Sequence, residues 1–148
     1  MLGLFGSKVV VHDKVLFVKL DKDLLDVITV LRYHSLFRYD VLVDIVGVDL
    51  GNGVYGVRYV LRSSRFNSFL LVSCVVDSEV SSLSGLFSSS GWLERELFDM
   101  FGLVVRGNSD LRRLLTDYGF KGFPLRKSFS VGEDSFYSEF CKSSIKRS

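Results

Sequence analysis

Three apolar runs follow one another with only short turns between them: Val41 to Val48, Val54 to Arg62 and Phe66 to Val76. Consecutive strands joined this closely form antiparallel hairpins, which restricts the chain to a sheet-containing fold. In the second run Val57, Tyr59 and Leu61 alternate with Arg58 and Arg62, which predicts one buried face and one partly wet face. The third run is nearly all apolar and reads as a central strand. It puts Cys74 on one face with Leu70, Val72 and Val76, as a small buried core residue.

Upstream, Val15 to Leu20 reads as a strand and "DKDLLDVITVLRYH" as a helix. Asp21 suits its N-cap, Asp23 suits its positive N-terminal end, and Leu24, Val27, Ile28 and Leu31 fall on one face. Downstream, Glu79 to Leu86 is expected to form a short helix. "SSSGWLERELFDMFG" forms a longer one, with a stripe of Leu93, Leu97, Met100 and Phe101 and a terminating Gly102. The order β-α-β-β-β-α predicts an α+β fold. It would be a small two-layer domain over residues 1–102, with a sheet of about four strands packed by helices. Residues 103–148 would be an extension of short helix and irregular structure, ending in a Ser-rich basic tail beyond Ser130.

The chain of 148 residues is the size of one domain, and its net charge of +2 gives no basic stripe for nucleic acid. The longest apolar run, Phe69 to Val76, is too short to span a bilayer. The start, "MLGLFGSKVVV", reads as neither a signal peptide nor an Arg-rich presequence. Cys74 and Cys141 lie far apart, so neither a disulfide framework nor a zinc site is expected. Ala and Gln are absent, and Pro, His and Thr are rare. All their codons carry C in the first or second position, the signature of a C-poor coding strand such as organellar genomes have.

Candidate chemistry is sparse. "GNGVYG" (Gly51 to Gly56) matches the dinucleotide-binding spacing, but it leads into a strand where that motif needs a helix N-terminus, so it reads as a hairpin turn. His12 and His34 are isolated. Glu96 and Asp99, three apart in the second long helix, have the spacing of a coupled acid pair; the favoured reading is a solvated acidic face.

The densest segment is "SDLRRLLTDYGFKGFPLRK" (109–127), which holds the single proline. Ser109 or Asp110 is expected to cap a short helix with Leu111, Leu114 and Leu115 inward, Arg112 and Arg113 projecting together, and Gly119 ending it in the left-handed conformation. Arg and Tyr beside Phe120, Phe123, Leu125 and Phe129 make a docking surface the physical reading.

"GWLERELFDMFG", "DLRRLLTDYGF" and "GFPLRK", in this order, resemble the C-terminal signature of one family: the peripheral-arm subunit of respiratory complex I that mitochondrial genomes call NADH dehydrogenase subunit 9, which has bacterial counterparts. "VLVDIVGVDL" and "VRYVLRS" extend the likeness upstream. The resemblance implies a non-catalytic structural subunit of the quinone module of NADH:ubiquinone oxidoreductase, active only within the complex. It implies that this chain holds no cofactor, with FMN and iron–sulfur clusters on other subunits. The implied partners are other peripheral-arm subunits, especially the large quinone-site subunit, on the matrix side of the mitochondrial inner membrane. A small RNA-binding or ribosomal protein of an organelle is the second reading.

The resemblance also implies interface roles for Glu94, Arg95, Asp99, Arg112, Arg113, Asp117, Tyr118, Pro124, Leu125, Arg126 and Lys127. Arg112 and Arg113 would bind carboxylates or carbonyls, within the chain or across the interface. Glu94 and Arg95 would either face the partner or hold the extension internally. The sequence departs from the family pattern at Asn108-Ser109, where His-Pro is usual, and at Lys121, Phe123, Ser128 and Ser130.

Overall fold

The computed structural model describes residues 9–12, 15–20 and 24–130. The proposed helix start at Asp21 and Asp23, the tail beyond Ser130 and Cys141 lie outside them. The elements are β1 (Val9–His12), β2 (Val15–Leu20), α1 (Leu24–Tyr33), β3 (Val41–Gly51), β4 (Val54–Ser63), β5 (Ser68–Val76), β6 (Glu79–Ser81), α2 (Ser90–Phe101) and β7 (Val104–Arg106).

Five strands form one sheet in the order β1-β2-β5-β4-β3. β5 is central, as its apolar sequence predicts, antiparallel to β4 and parallel to β2. Alternation sorts the side chains: Val57, Tyr59 and Leu61 of β4 lie beside Cys74, Val72 and Leu70 of β5, all buried. On β3 the register slips between Leu42 and Asp44, a bulge that lets both Leu42 and Ile45 face inward. Val27, Ile28 and Leu31 of α1, and Leu97 and Phe101 of α2, bury against this face. The core and the two layers are therefore those the periodicity implies. The sheet itself gains β1, an edge strand not anticipated from sequence.

"GNGVYG" is the β3–β4 turn, with Gly51, Asn52 and Gly53 at φ 94°, 55° and 76° and a strand following. Burial pushes the Cys74 thiol up to about 11, consistent with an inert core residue.

Glu79 to Leu86 is not a helix. Glu79–Ser81 pairs in parallel with Val104–Arg106, burying Val80 and Val105. The partner strand is distant in sequence, so local periodicity carries no sign of it. Leu103 and Val105 are in the core, so the chain beyond α2 begins as part of the packed body.

Candidate interaction site on helix α2 and the C-terminal strap

Helix α2 has two working faces. Leu97 and Phe101 pack on β3 at Gly47, where an added Cβ would lie 2.5 Å from the Phe101 ring and 2.7 Å from Leu97. The adjoining side carries Glu94, Arg95, Phe98 and Asp99, and the segment from Asn108 to Phe129 is strapped across it. Gly102 ends the helix at φ 69°, its N–H donating to the Phe98 carbonyl, as its position predicts.

Asp99 is fully buried. The backbone N–H groups of Leu114, Leu115 and Thr116 donate to its Oδ2 at 3.1, 2.7 and 2.8 Å. The Thr116 hydroxyl donates to Oδ1, and Arg113 Nη1 lies 3.1 Å from the same oxygen. Burial pushes this carboxyl up, but the Thr116 hydroxyl and the three N–H groups outweigh it and hold it at about 2.

Glu94, only 2% exposed, accepts from Ser82 Oγ (2.7 Å), Leu83 N–H (2.6 Å) and Asn108 Nδ2 (2.8 Å). Arg95 donates to the carbonyls of Arg112 (3.1 Å) and Arg113 (3.0 Å). The expected solvated acidic face is thus corrected. Glu96 is exposed while Glu94 and Asp99 are interior groups saturated by donors, so Glu96 and Asp99 do not share an environment.

The helix expected after Ser109 is also corrected: among the described residues no helix follows Phe101. The N–H groups of residues 114–116 converge on Asp99 instead of entering a helical ladder. Leu115 is consequently 63% exposed, and the two arginines part. Arg112 lies in solvent and forks onto Asp110 at 2.6 and 2.9 Å. That fork, with Arg95 nearby, holds the Asp110 carboxyl down at about 2. Arg113 turns inward to Asp99, Thr116 and the Gly122 carbonyl (3.0 Å). Gly122, at φ 100°, takes the left-handed position expected of Gly119.

Past the turn, Phe123 sits between the guanidinium groups of Arg113 (5.3 Å) and Arg126 (4.4 Å) and edge-on to Phe98. Arg126 Nε donates to the Phe101 carbonyl at 2.5 Å and its guanidinium also covers Tyr55. Leu125 N–H reaches the Met100 carbonyl (3.1 Å), and Lys127 N–H reaches Asp49 Oδ2 (2.8 Å). The Lys127 and Gly51 N–H groups lower the Asp49 carboxyl.

The eleven residues singled out from sequence therefore separate. Glu94, Arg95, Asp99, Arg113 and Arg126 bind the chain's own backbone, and Pro124 is half-buried. Arg112, Asp117, Tyr118, Leu125 and Lys127 are exposed, Tyr118 completely. Ser82, Asn108 and Thr116 were missed. Asn108 stands at a departure from the family pattern, yet its carboxamide both donates to Glu94 and accepts from Asp110 N–H. Its short polar side chain beside a charged segment was the available signal.

The geometry defines a class first: a small α+β domain whose buried charges fasten its own C-terminal strap across one helix. The chain belongs to the family described as respiratory-chain NADH dehydrogenase, 30 Kd subunit, whose sequence pattern matches residues 18–135. It is 47% identical to the NADH dehydrogenase [ubiquinone] iron-sulfur protein 3 of Oryza sativa subsp. japonica, covering 68% of this chain and 55% of the relative. It is 39% identical to NADH-ubiquinone oxidoreductase subunit 9 of Dictyostelium discoideum, covering 84% of this chain and 64% of the relative. The chain thus spans little more than half the length of the curated relatives it matches.

Among solved structures, a trypsin-resistant fragment of Nqo5 superposes with a TM-score of 0.61 at 25% identity, covering 72% of this chain and 90% of the fragment. A chain of an archaeal membrane-bound sulfane sulfur reductase shares the fold at TM-score 0.75 and 17% identity, covering 93% of this chain and 83% of the other.

Proposed function

We propose that the chain is a structural, non-catalytic subunit of NADH:ubiquinone oxidoreductase that braces the quinone-reducing module against the large quinone-site subunit. It would work at the matrix side of the mitochondrial inner membrane, encoded in the organelle. Family membership and the names of the plant and Dictyostelium relatives support the complex; the C-poor codon signature supports the compartment. The observation that carries the bracing role is the strap. Its backbone and the Asn108 side chain are fixed from below, by Asp99, Glu94 and Arg95, while Arg112, Tyr118 and Leu125 are turned to solvent. A backbone already held in place lowers the ordering cost of docking the side chains it carries.

The relatives' name raises the question of an iron–sulfur cluster. Such a cluster takes four thiolates. This chain has two cysteines, and Cys74 is in the core with its thiol pushed up to about 11. Its residues do not fit the group, and FMN and the clusters belong to other subunits in this reading.

The test is to tag the chain in its native organism and fractionate a mild-detergent extract on a native gel. The tag is expected to migrate with NADH-oxidising activity and with the large quinone-site subunit. Migration apart from that activity overturns the reading.

A further inference from the structure

The sheet has a second face. The register aligns its outer rows: Val41–Arg62–Phe69, then Asp44–Val60–Leu71, then Val46–Arg58–Ser73, then Val48–Gly56–Val75. Val41, Val46, Phe69 and Val75 are each about two-fifths exposed. Both helices lie on the other side. The rows continue one another across strands about 4.8 Å apart, so these side chains make one surface.

Two features say what this surface takes. First, β5 is the central strand, and three of its four outward residues, Phe69, Leu71 and Val75, are as apolar as its inward ones, Ser73 being the exception. A strand whose sequence is nearly continuously apolar in this way is one that is covered on both faces. Second, the charge on the surface has one dominant sign. Arg58 and Arg62 stand four residues apart on β4, about 13 Å along the strand. Arg62 is steadied by Asn67 Oδ1 at 3.1 Å and lies over the Phe69 ring. The acid in these rows, Asp44, turns its Oδ1 to its neighbour's N–H, Ile45, at 2.8 Å.

We infer that the outer sheet face is a docking site for an amphipathic α-helix of another polypeptide. An aliphatic stripe of that helix would lie on the Val46–Val75 surface, and carboxylates two turns apart, about 11 Å, would meet Arg58 and Arg62. The helix completes a helix–sheet–helix sandwich of which this chain supplies two layers. The inference goes beyond the complex I reading: it concerns the face of the sheet turned away from the core, and it holds for whichever assembly carries the chain.

The test uses the full chain in its native assembly, with Val46 or Val75 replaced by a photo-crosslinking phenylalanine analogue. Irradiation is expected to give one crosslinked product, and mass spectrometry to place the link in a helical, acid-bearing segment of a different polypeptide. The Arg58→Glu, Arg62→Glu double variant is expected to lower the yield of that product about tenfold, while Arg58→Lys with Arg62→Lys retains it. Links to this chain itself, to a second copy or to lipid each overturn the inference, as does an uncrosslinked, solvent-reactive probe. Circular dichroism of the double-Glu variant controls for folding; equal crosslinking by a folded double-Glu variant also overturns it. Comigration with NADH-oxidising activity is scored separately, so the two readings fail independently.

Discussion

Asp99 shows how much one side chain can organise. A buried carboxylate receiving three N–H groups, a hydroxyl and a guanidinium takes the place of a turn of helix. Asp99→Asn removes the charge and leaves donors underpaired, at a cost of about 3 kcal/mol. Trypsin cleavage after Arg112 and Arg113 should accelerate accordingly, since that bond network holds the segment down. The same carboxyl sits at about 2 in the folded chain, against about 3.9 unfolded. Its contribution is therefore complete above about pH 4 and is lost as pH falls toward 2, on the order of 2 kcal/mol. Acid titration of stability should show that loss in the wild-type chain and not in Asp99→Asn. The two arginines give a second prediction. Arg113→Ala should destabilise the strap by about 2 kcal/mol in urea denaturation, while exposed Arg112→Ala stays within about 0.5 kcal/mol. Adjacent identical letters in "LRRLL" carry no sign of this division. It arises because an acid fourteen residues upstream claims only one of them.

At the scale of elements, what periodicity encodes was legible: the β3–β4–β5 meander, the buried face of α1, the apolar stripe of α2 and its glycine stop. What depends on a distant partner was not. Val80 becomes a strand residue only because Val105 lies beside it, and Leu111, Leu114 and Leu115 have helical spacing in a segment whose donors are bound elsewhere. The seam between α2 and β3 rests on a missing side chain. Gly47→Ala puts a methyl within 2.5 Å of the Phe101 ring, a steric conflict costing about 1–3 kcal/mol. Thermal melts of Gly47→Ala, and of Gly47→Ala with Phe101→Leu, should show the second substitution recovering part of the loss. A Phe101→Leu change that adds its full independent penalty to Gly47→Ala would show that the ring is not what the methyl meets.

For the whole molecule, folding and docking use different residues. Tyr118→Ala and Leu125→Ser touch fully and half-exposed side chains, so the isolated chain should keep its stability within about 0.5 kcal/mol. On native gels the same variants should reduce incorporation into the NADH-oxidising assembly; undiminished incorporation of both would remove the strap from the interface. The candidate surface was visible in the sequence as a charged aromatic segment. The scaffold beneath it was not, because its acids look solvated until the strap is laid over them. The central position of β5 reaches further still. Its parallel neighbour β2 is synthesised long before it, and the register between them runs from Val15 with Phe69 to Leu20 with Cys74. A nascent chain halted on the ribosome before Ser68 has β2 without its inner neighbour, so the sheet closes only once Ser68–Val76 has emerged. Until then β2 and β4 each lack one of the two neighbours that the finished sheet gives them.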